Sequence, residues 1–94
     1  GIYYGRPSTV HKIDFTASSV TQSTAFSADT SYVMLCAKTA GCHFVVASTP
    51  TATVNAGSYL PKDEVILIKV SGGDKIGAIR EASTSGSLYA TEMV

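Results

Sequence analysis

From Thr9 to the C-terminus the chain is cut into short runs in which apolar and polar residues alternate, and each run is closed by Gly, Ser, Asp or Asn. No stretch of ten or more positions carries an apolar stripe at the helical period of about 3.6, so period two is the only regular signal. The apolar inventory agrees: nine Val, six Ile and eleven Thr stand against four Leu, three Glu and one Gln, which is strand chemistry and not helix chemistry. The pattern predicts strands at "TVHKIDFT" (His11, Ile13 and Phe15 on one face), "SVTQSTAF" (Val20 and Phe26 in phase), "SYVMLCAK", "CHFVVA", "EVILIKV", "KIGAIRE" and "SLYATEMV", with a further short edge strand, "TATVN", in the long loop from Ser48 to Ser58. A chain of 94 residues holds one modest core. The expected fold is therefore all-β, a single small antiparallel β-sandwich of seven to eight strands, of jelly-roll or immunoglobulin-like type.

Turn chemistry joins these strands. "SGGD" (Ser71 to Asp74) offers Gly where a positive φ is needed, "STSGS" precedes the last strand, and "KTAG" leads into "CHFVVA". Read as hairpins, they predict that the chain from Ser31 onward is mostly a meander of adjacent strands. "EVILIKV" is nearly continuous in apolar residues and is expected to be a central strand covered on both faces, with "SLYATEMV" flanking it.

Charge narrows the partners. Charged residues are 15% of the chain and seven basic side chains cancel seven acidic ones, which removes the counterion-release and steering terms that nucleic acid binding relies on. The longest apolar runs fall far short of the roughly 20 residues of a membrane span, so neither nucleic acid nor membrane is expected as a partner. No basic-then-apolar export signal opens the chain, and synthesis in the cytoplasm is expected. The segment from Thr39 to Pro61 has no Lys, Arg, Asp or Glu at all. Small hydroxyls and alanines cost less to desolvate than Lys or Glu, so such a surface suits permanent packing against a neighbour; solvated Ser/Thr strand faces are the plainer alternative.

Chemistry is sparse. Cys36 and Cys42 flank the "AKTAG" turn, where a disulfide is conceivable but free thiols packed as small hydrophobes are expected. Regular β geometry sends Cys42 and His43 to opposite faces, so they do not share a metal ion, and no metal or other cofactor is expected. No nucleophile elbow surrounds any Ser, and His11 and Asp14 belong to no local catalytic signature. Asp63-Glu64 reads as a solvated turn, and "SGGD" lacks the Lys-Ser/Thr and helix of a phosphate loop. The expectation is a protein that is not an enzyme.

Residues 1–8 stand apart from the sandwich of 9–94. "GIYYGRPS" places Ile2, Tyr3, Tyr4 and Arg6 before Pro7, and Tyr and Arg are enriched at interface hot spots. Ile2, Tyr3, Tyr4, Arg6 and Pro7 are therefore the candidate protein-interface residues, either as an arm docking on a neighbour or as an edge segment of their own sandwich.

One resemblance adds a setting. A Ser/Ala-rich strand ending in "AF", the "GCHF" step, the "TPTAT" loop, "YLP" before an apolar strand, the "GGDKIGAI" turn and the closing "LYATEM" together resemble small virion proteins of tailed bacteriophages. The similarity runs from Ser18 to Ile79 and from Gly86 to Val94. It implies a head-decoration or cement protein on the outer capsid surface of a virion, bridging subunits of the major capsid protein and self-associating as a dimer or trimer. The alternative is a receptor- or glycan-binding domain of a small head or tail fibre.

Overall fold

The structure, a computed structural model, describes residues 6–93. Eight strands follow in the order β1 (Pro7–Phe15), β2 (Val20–Thr21), β3 (Tyr32–Lys38), β4 (Cys42–Ala47), β5 (Ser58–Leu60), β6 (Val65–Lys69), β7 (Lys75–Arg80) and β8 (Gly86–Met93). Among the described residues there is no helix. Two four-stranded antiparallel sheets form, ordered β1-β8-β3-β6 and β2-β7-β4-β5, so the all-β expectation holds. The partners are nested: β1 pairs with β8, β2 with β7, β3 with β6 and β4 with β5. Such nesting is one long hairpin rolled over itself, the jelly-roll order and not the immunoglobulin one.

Alternation builds the core. In β1, His11, Ile13 and Phe15 are buried while Lys12 and Asp14 are exposed. Val33, Leu35 and Ala37 of β3, Leu88 and Ala90 of β8, Cys42 and Phe44 of β4, and Ile76 and Ala78 of β7 belong to the same core, joined by Phe26, Leu60 and Val70. Each large side chain so buried contributes about 1.5–3 kcal/mol relative to exposure.

The expected meander is not what forms. Of the consecutive strands from β3 onward, only β4 and β5 are neighbours in one sheet; the other connections cross between sheets. The turn residues do their local work: Gly73 has φ 89° and Asp74 N–H donates to Ser71 O at 3.0 Å. A reversal of direction needs the same Gly and Asp whether the next strand joins the same sheet or the opposite one, so turn chemistry alone does not set the pairing. Strand ranks also invert. β6 lies at a sheet edge and β8 lies between β1 and β3, and accordingly Glu92 and Thr91 of β8 are buried whereas Val65 and Leu67 of β6 are exposed.

Two predicted strands are shortened or replaced. At the end of β2 Gln22 bonds Ile76 twice, its backbone N–H donating to Ile76 O at 2.8 Å and its Oε1 accepting from Ile76 N–H at 3.1 Å, while its Nε2 donates to Thr24 O at 2.5 Å. Pairing with the β7 side resumes only where Phe26 N–H donates to Asp74 O at 2.9 Å. "TATVN" is not a strand; Thr53 closes a turn there, accepting from Ala56 N–H at its Oγ1 (3.1 Å) and from Gly57 N–H at its carbonyl (3.0 Å). The edge strand is "SYL", directly after it.

The neutral segment has its own place. Pro50 and Ala52 are buried, Thr21 Oγ1 donates to Pro50 O at 3.5 Å, and Ala52 N–H donates to Ser19 Oγ at 2.9 Å. Gly77 points away from the core between Ile76 and Ala78, and a Cβ there would stand 3.1 Å from Pro50 O and 3.2 Å from Pro50 Cβ. Residues 48–57 are thus a strap across the outer face of the β2-β7-β4-β5 sheet, and an uncharged strap is what such a face accepts. Gly77→Val is expected to lift it, lowering stability by about 1–3 kcal/mol and opening residues 48–57 to protease. Thermal unfolding and limited proteolysis check this; an unchanged melting temperature and cleavage pattern would mean that the strap does not rest on Gly77.

Candidate interaction face

Among the described residues no strap crosses the outer face of the other sheet. Register places its outward side chains in rows. Val10, Thr91, Met34 and Leu67 form one row across β1-β8-β3-β6, and Lys12, Tyr89, Cys36 and Val65 form the next. Pro7, Met93, Tyr32 and Lys69 end the face on one side, and Asp14, Ser87 and Lys38 end it on the other. Pro7 and Val10 share this face although an odd number of steps separates them, because the register shifts between them; an extra residue in a strand restores the phase. Val65 is 58% exposed, Val10 55%, Tyr32 39% and Leu67 37%, with Met34, Cys36, Tyr89 and Met93 half-buried by their neighbours. The largest contiguous apolar patch on a small protein is often its functional surface.

Charges sit mainly at the rim. Lys38 Nζ lies 2.9 Å from Asp63 Oδ1 and Lys12 Nζ 3.6 Å from Asp14 Oδ1. The Lys38 hydrogen bond holds the Asp63 carboxyl below its ordinary value, and the Ser87 hydroxyl, donating at 2.6 Å, does the same for Asp14. Lys69, exposed at the opposite corner, has no ion pair among the described residues.

A second cluster lies beneath this sheet. Glu92 points inward from β8 and is 3% exposed. Its Oε2 accepts from His11 Nε2–H at 2.7 Å, and its Oε1 accepts from Ser27 N–H at 3.0 Å and from the Thr30 hydroxyl. Burial, the largest single influence, works to raise its pKa, but the hydrogen bonds from Thr30, His11 and Ser27 together outweigh it and the carboxyl stays below its ordinary value. The His11 ring packs edge-on against Phe26 at 5.3 Å and lines an open polar cleft with Thr9, Lys12, Gln22 and Thr24. Both oxygens of this carboxylate are used to tie β1 and residues 27–30 to β8, so its role is architectural.

Of the interface residues expected from sequence, Pro7 lies at a corner of the open face and Arg6 is exposed just beyond it; Ile2, Tyr3 and Tyr4 lie outside the described residues. The sequence reading missed Val65, Leu67, Met34 and Val10. The signal was present, since every second residue of an apolar run must face away from the core. The two cysteines are unpaired and belong to opposite sheets, Cys36 on the open face and Cys42 in the core. His43 faces away from Cys42, with Nδ1–H donating to Gly57 O at 3.1 Å. Comparison of the chain with protein-family profiles, curated proteins and solved structures found no match.

Two outcomes follow from this geometry. Burial pushes the Cys42 thiol up to about 12, so under native conditions iodoacetamide should label Cys36 and leave Cys42 untouched until the protein unfolds; equal labelling rates would contradict the placement of the two thiols. The Glu92 carboxyl is lowered by folding, so its stabilising contribution is complete above its ordinary value of 4.5 and is lost as pH falls through the lower folded value. Melting temperature should therefore drop on acidification below that point. Glu92→Gln should cost about 1–3 kcal/mol at neutral pH and flatten the acid limb, and an unchanged acid limb would assign it to other carboxylates.

Proposed function

We propose that this chain is a non-enzymatic structural subunit that works by laying its open sheet face on other protein. The setting is the one implied by its resemblance to small phage virion proteins: a decoration or cement protein on the outer capsid surface, contacting the major capsid protein and its own copies. The observation that carries this reading is the unequal treatment of the two outer faces. One is crossed by the chain's own strap through Pro50 and Ala52, with Val54 of the strap and Tyr59 of β5 exposed there, and the other carries Val10, Val65 and Leu67 exposed together on one face. At about 25 cal/mol per Å² of apolar area removed from water, that face gains free energy when a partner covers it. Zero net charge, and charges that sit at the rim where they keep access to water, oppose such covering very little. A body of 35 × 29 × 18 Å is small enough to cover a seam between shell subunits without projecting far.

Two measurements test the proposal. Quantitative mass spectrometry of purified virions of the phage that encodes the chain should find it at a copy number of the same order as the major capsid protein. A handful of copies would favour a fibre domain, and absence from the particle would overturn the proposal. Leu67→Lys, at an exposed site, should change fold stability by no more than about 0.5 kcal/mol yet abolish co-sedimentation with capsids lacking the native copy. Retained co-sedimentation would remove this face from the attachment.

A further inference from the structure

We infer that the open face of the β1-β8-β3-β6 sheet docks on the same face of a second copy of this chain, about a two-fold axis that crosses the strands between the Lys12–Val65 and Val10–Leu67 rows. The inference rests on the proposed structural role and names one partner of the same face. Two in-plane axes bring identical sheets face to face, and they differ in what they superimpose. An axis along the strands lays β1 over β6. It sets Lys12 on Val65 and the Asp14 corner over Asp63, which lies beside Lys38 at the start of β6. Like charges then oppose at the rim, and this is what separates the two arrangements.

An axis across the strands lays each strand over its own counterpart with the rows inverted. Val65 then meets Leu67, Cys36 meets Met34, and Tyr89 meets Thr91, so the half-buried centre is largely apolar on both sides, while at the β1 edge Lys12 meets Val10 with its ammonium at the rim. At the corners Lys69 comes over Asp63 of the second copy, and the Pro7 corner with Arg6 comes over Asp14 of the second copy. Lys69 and Arg6, which have no ion pair among the described residues, thus gain acidic partners, and two-fold symmetry makes every such contact twice. The twist of each sheet keeps stacked faces within about 30° of alignment, so the central rows remain matched.

Size sets the strength. Strand spacing of about 4.8 Å and a two-residue repeat of about 6.7 Å give a four-strand face a footprint on the order of 400 Å². That is well below the roughly 800 Å² per partner of a standard interface. The dimer is accordingly reversible and concentration-dependent, micromolar or weaker, which leaves the face able to exchange its own copy for a larger assembly.

Sedimentation equilibrium over a concentration series tests this. The unaltered protein should show a monomer–dimer equilibrium, and Leu67→Lys should abolish it. Lys69→Glu and Asp63→Lys should each raise the dissociation constant about tenfold, since each replaces two attractive contacts with two repulsive ones. An equimolar mixture of these two variants should bind more tightly than either alone, because the mixed dimer replaces two repulsive 69–63 contacts with one pairing of the introduced carboxylate with the introduced ammonium and one of Lys69 with Asp63. Thermal unfolding of each variant, Asp63→Lys in particular because residue 63 has φ 65°, confirms that the fold is kept. A monomer at all concentrations, or variants that dimerise as well as the unaltered chain, or a mixture no tighter than its components, would overturn the inference. If the dimer fails but Leu67→Lys still loses capsid attachment, the structural role stands without this partner. If the dimer forms and the chain is absent from virions, the dimer stands and the virion role falls.

Discussion

The buried carboxylate of Glu92 constrains this fold more than any other group. An ionised acid in a core costs many kcal/mol unless its oxygens are filled, and the donors that fill them come from His11, Ser27 and Thr30, all more than sixty positions away in the chain. Satisfying it requires the first strand to lie beside the last, in register, with residues 27–30 closed over the end of the sheet. A one-residue slip of β8 would turn Glu92 to solvent and drive Thr91 and Met93 inward. The irregularity in β1 between Pro7 and Val10 lies opposite this acid, where Ser8 Oγ donates to Glu92 O at 3.2 Å. The widest sequence separation in the sandwich is therefore pinned by its most demanding polar group.

Once β1-β8-β3 is fixed in that register, the composition of its outer face follows. Inward positions carry Ile13, Leu88, Ala90, Val33 and Leu35, and the residues between them are left outside whatever their polarity. On the second sheet the same rule leaves Gly77 and its cross-strand partners Thr21 and Val45 outside, but there a glycine admits Pro50 and the chain covers itself. The two faces differ because one is shaped to receive a strap and the other, studded with Met34, Tyr89 and Leu67, is not.

Much of this is legible in the residues. Alternation locates the strands, the β-branched composition sets the class, and the phase of Phe15, Ile13 and Phe26 along their runs places them in the core. Pairing is not legible, because "SGGD" and "KTAG" encode a reversal and not the sheet that follows it. The rank of the strands is misread for a related reason. An unbroken apolar run such as "VILI" is compatible with cover on both faces and equally with an open apolar face, and only the neighbours of β6 decide between them. Glu92 and Thr91 make β8 look peripheral, because the sequence does not display donors that arrive from residues 11, 27 and 30. The open face is hidden in the same way: its members are spread over four strands and come together only through register, whereas the neutral segment that stands out in the sequence is spent on self-coverage.

An exposed apolar face next to an exposed sheet edge invites uncontrolled association, and the charges around β6 show how the two are separated. The strand is short, entered through Lys62, Asp63 and Glu64 and left through Lys69. Its N-terminal approach is held by Asp63, whose amide donates to Ala37 O at 2.8 Å while its carboxylate engages Lys38. Charged residues at the ends of an apolar strand penalise edge-to-edge extension, which would take them out of water along the new strand pair. They penalise a face-to-face contact much less, since the same side chains lie at the rim and keep access to water. Steric access to Val65 and Leu67 is thus left open in one direction and guarded in the other. Association through the face is thereby limited to partners that lie flat on the sheet, as a finite assembly requires, and not to ones that add strands to its edge.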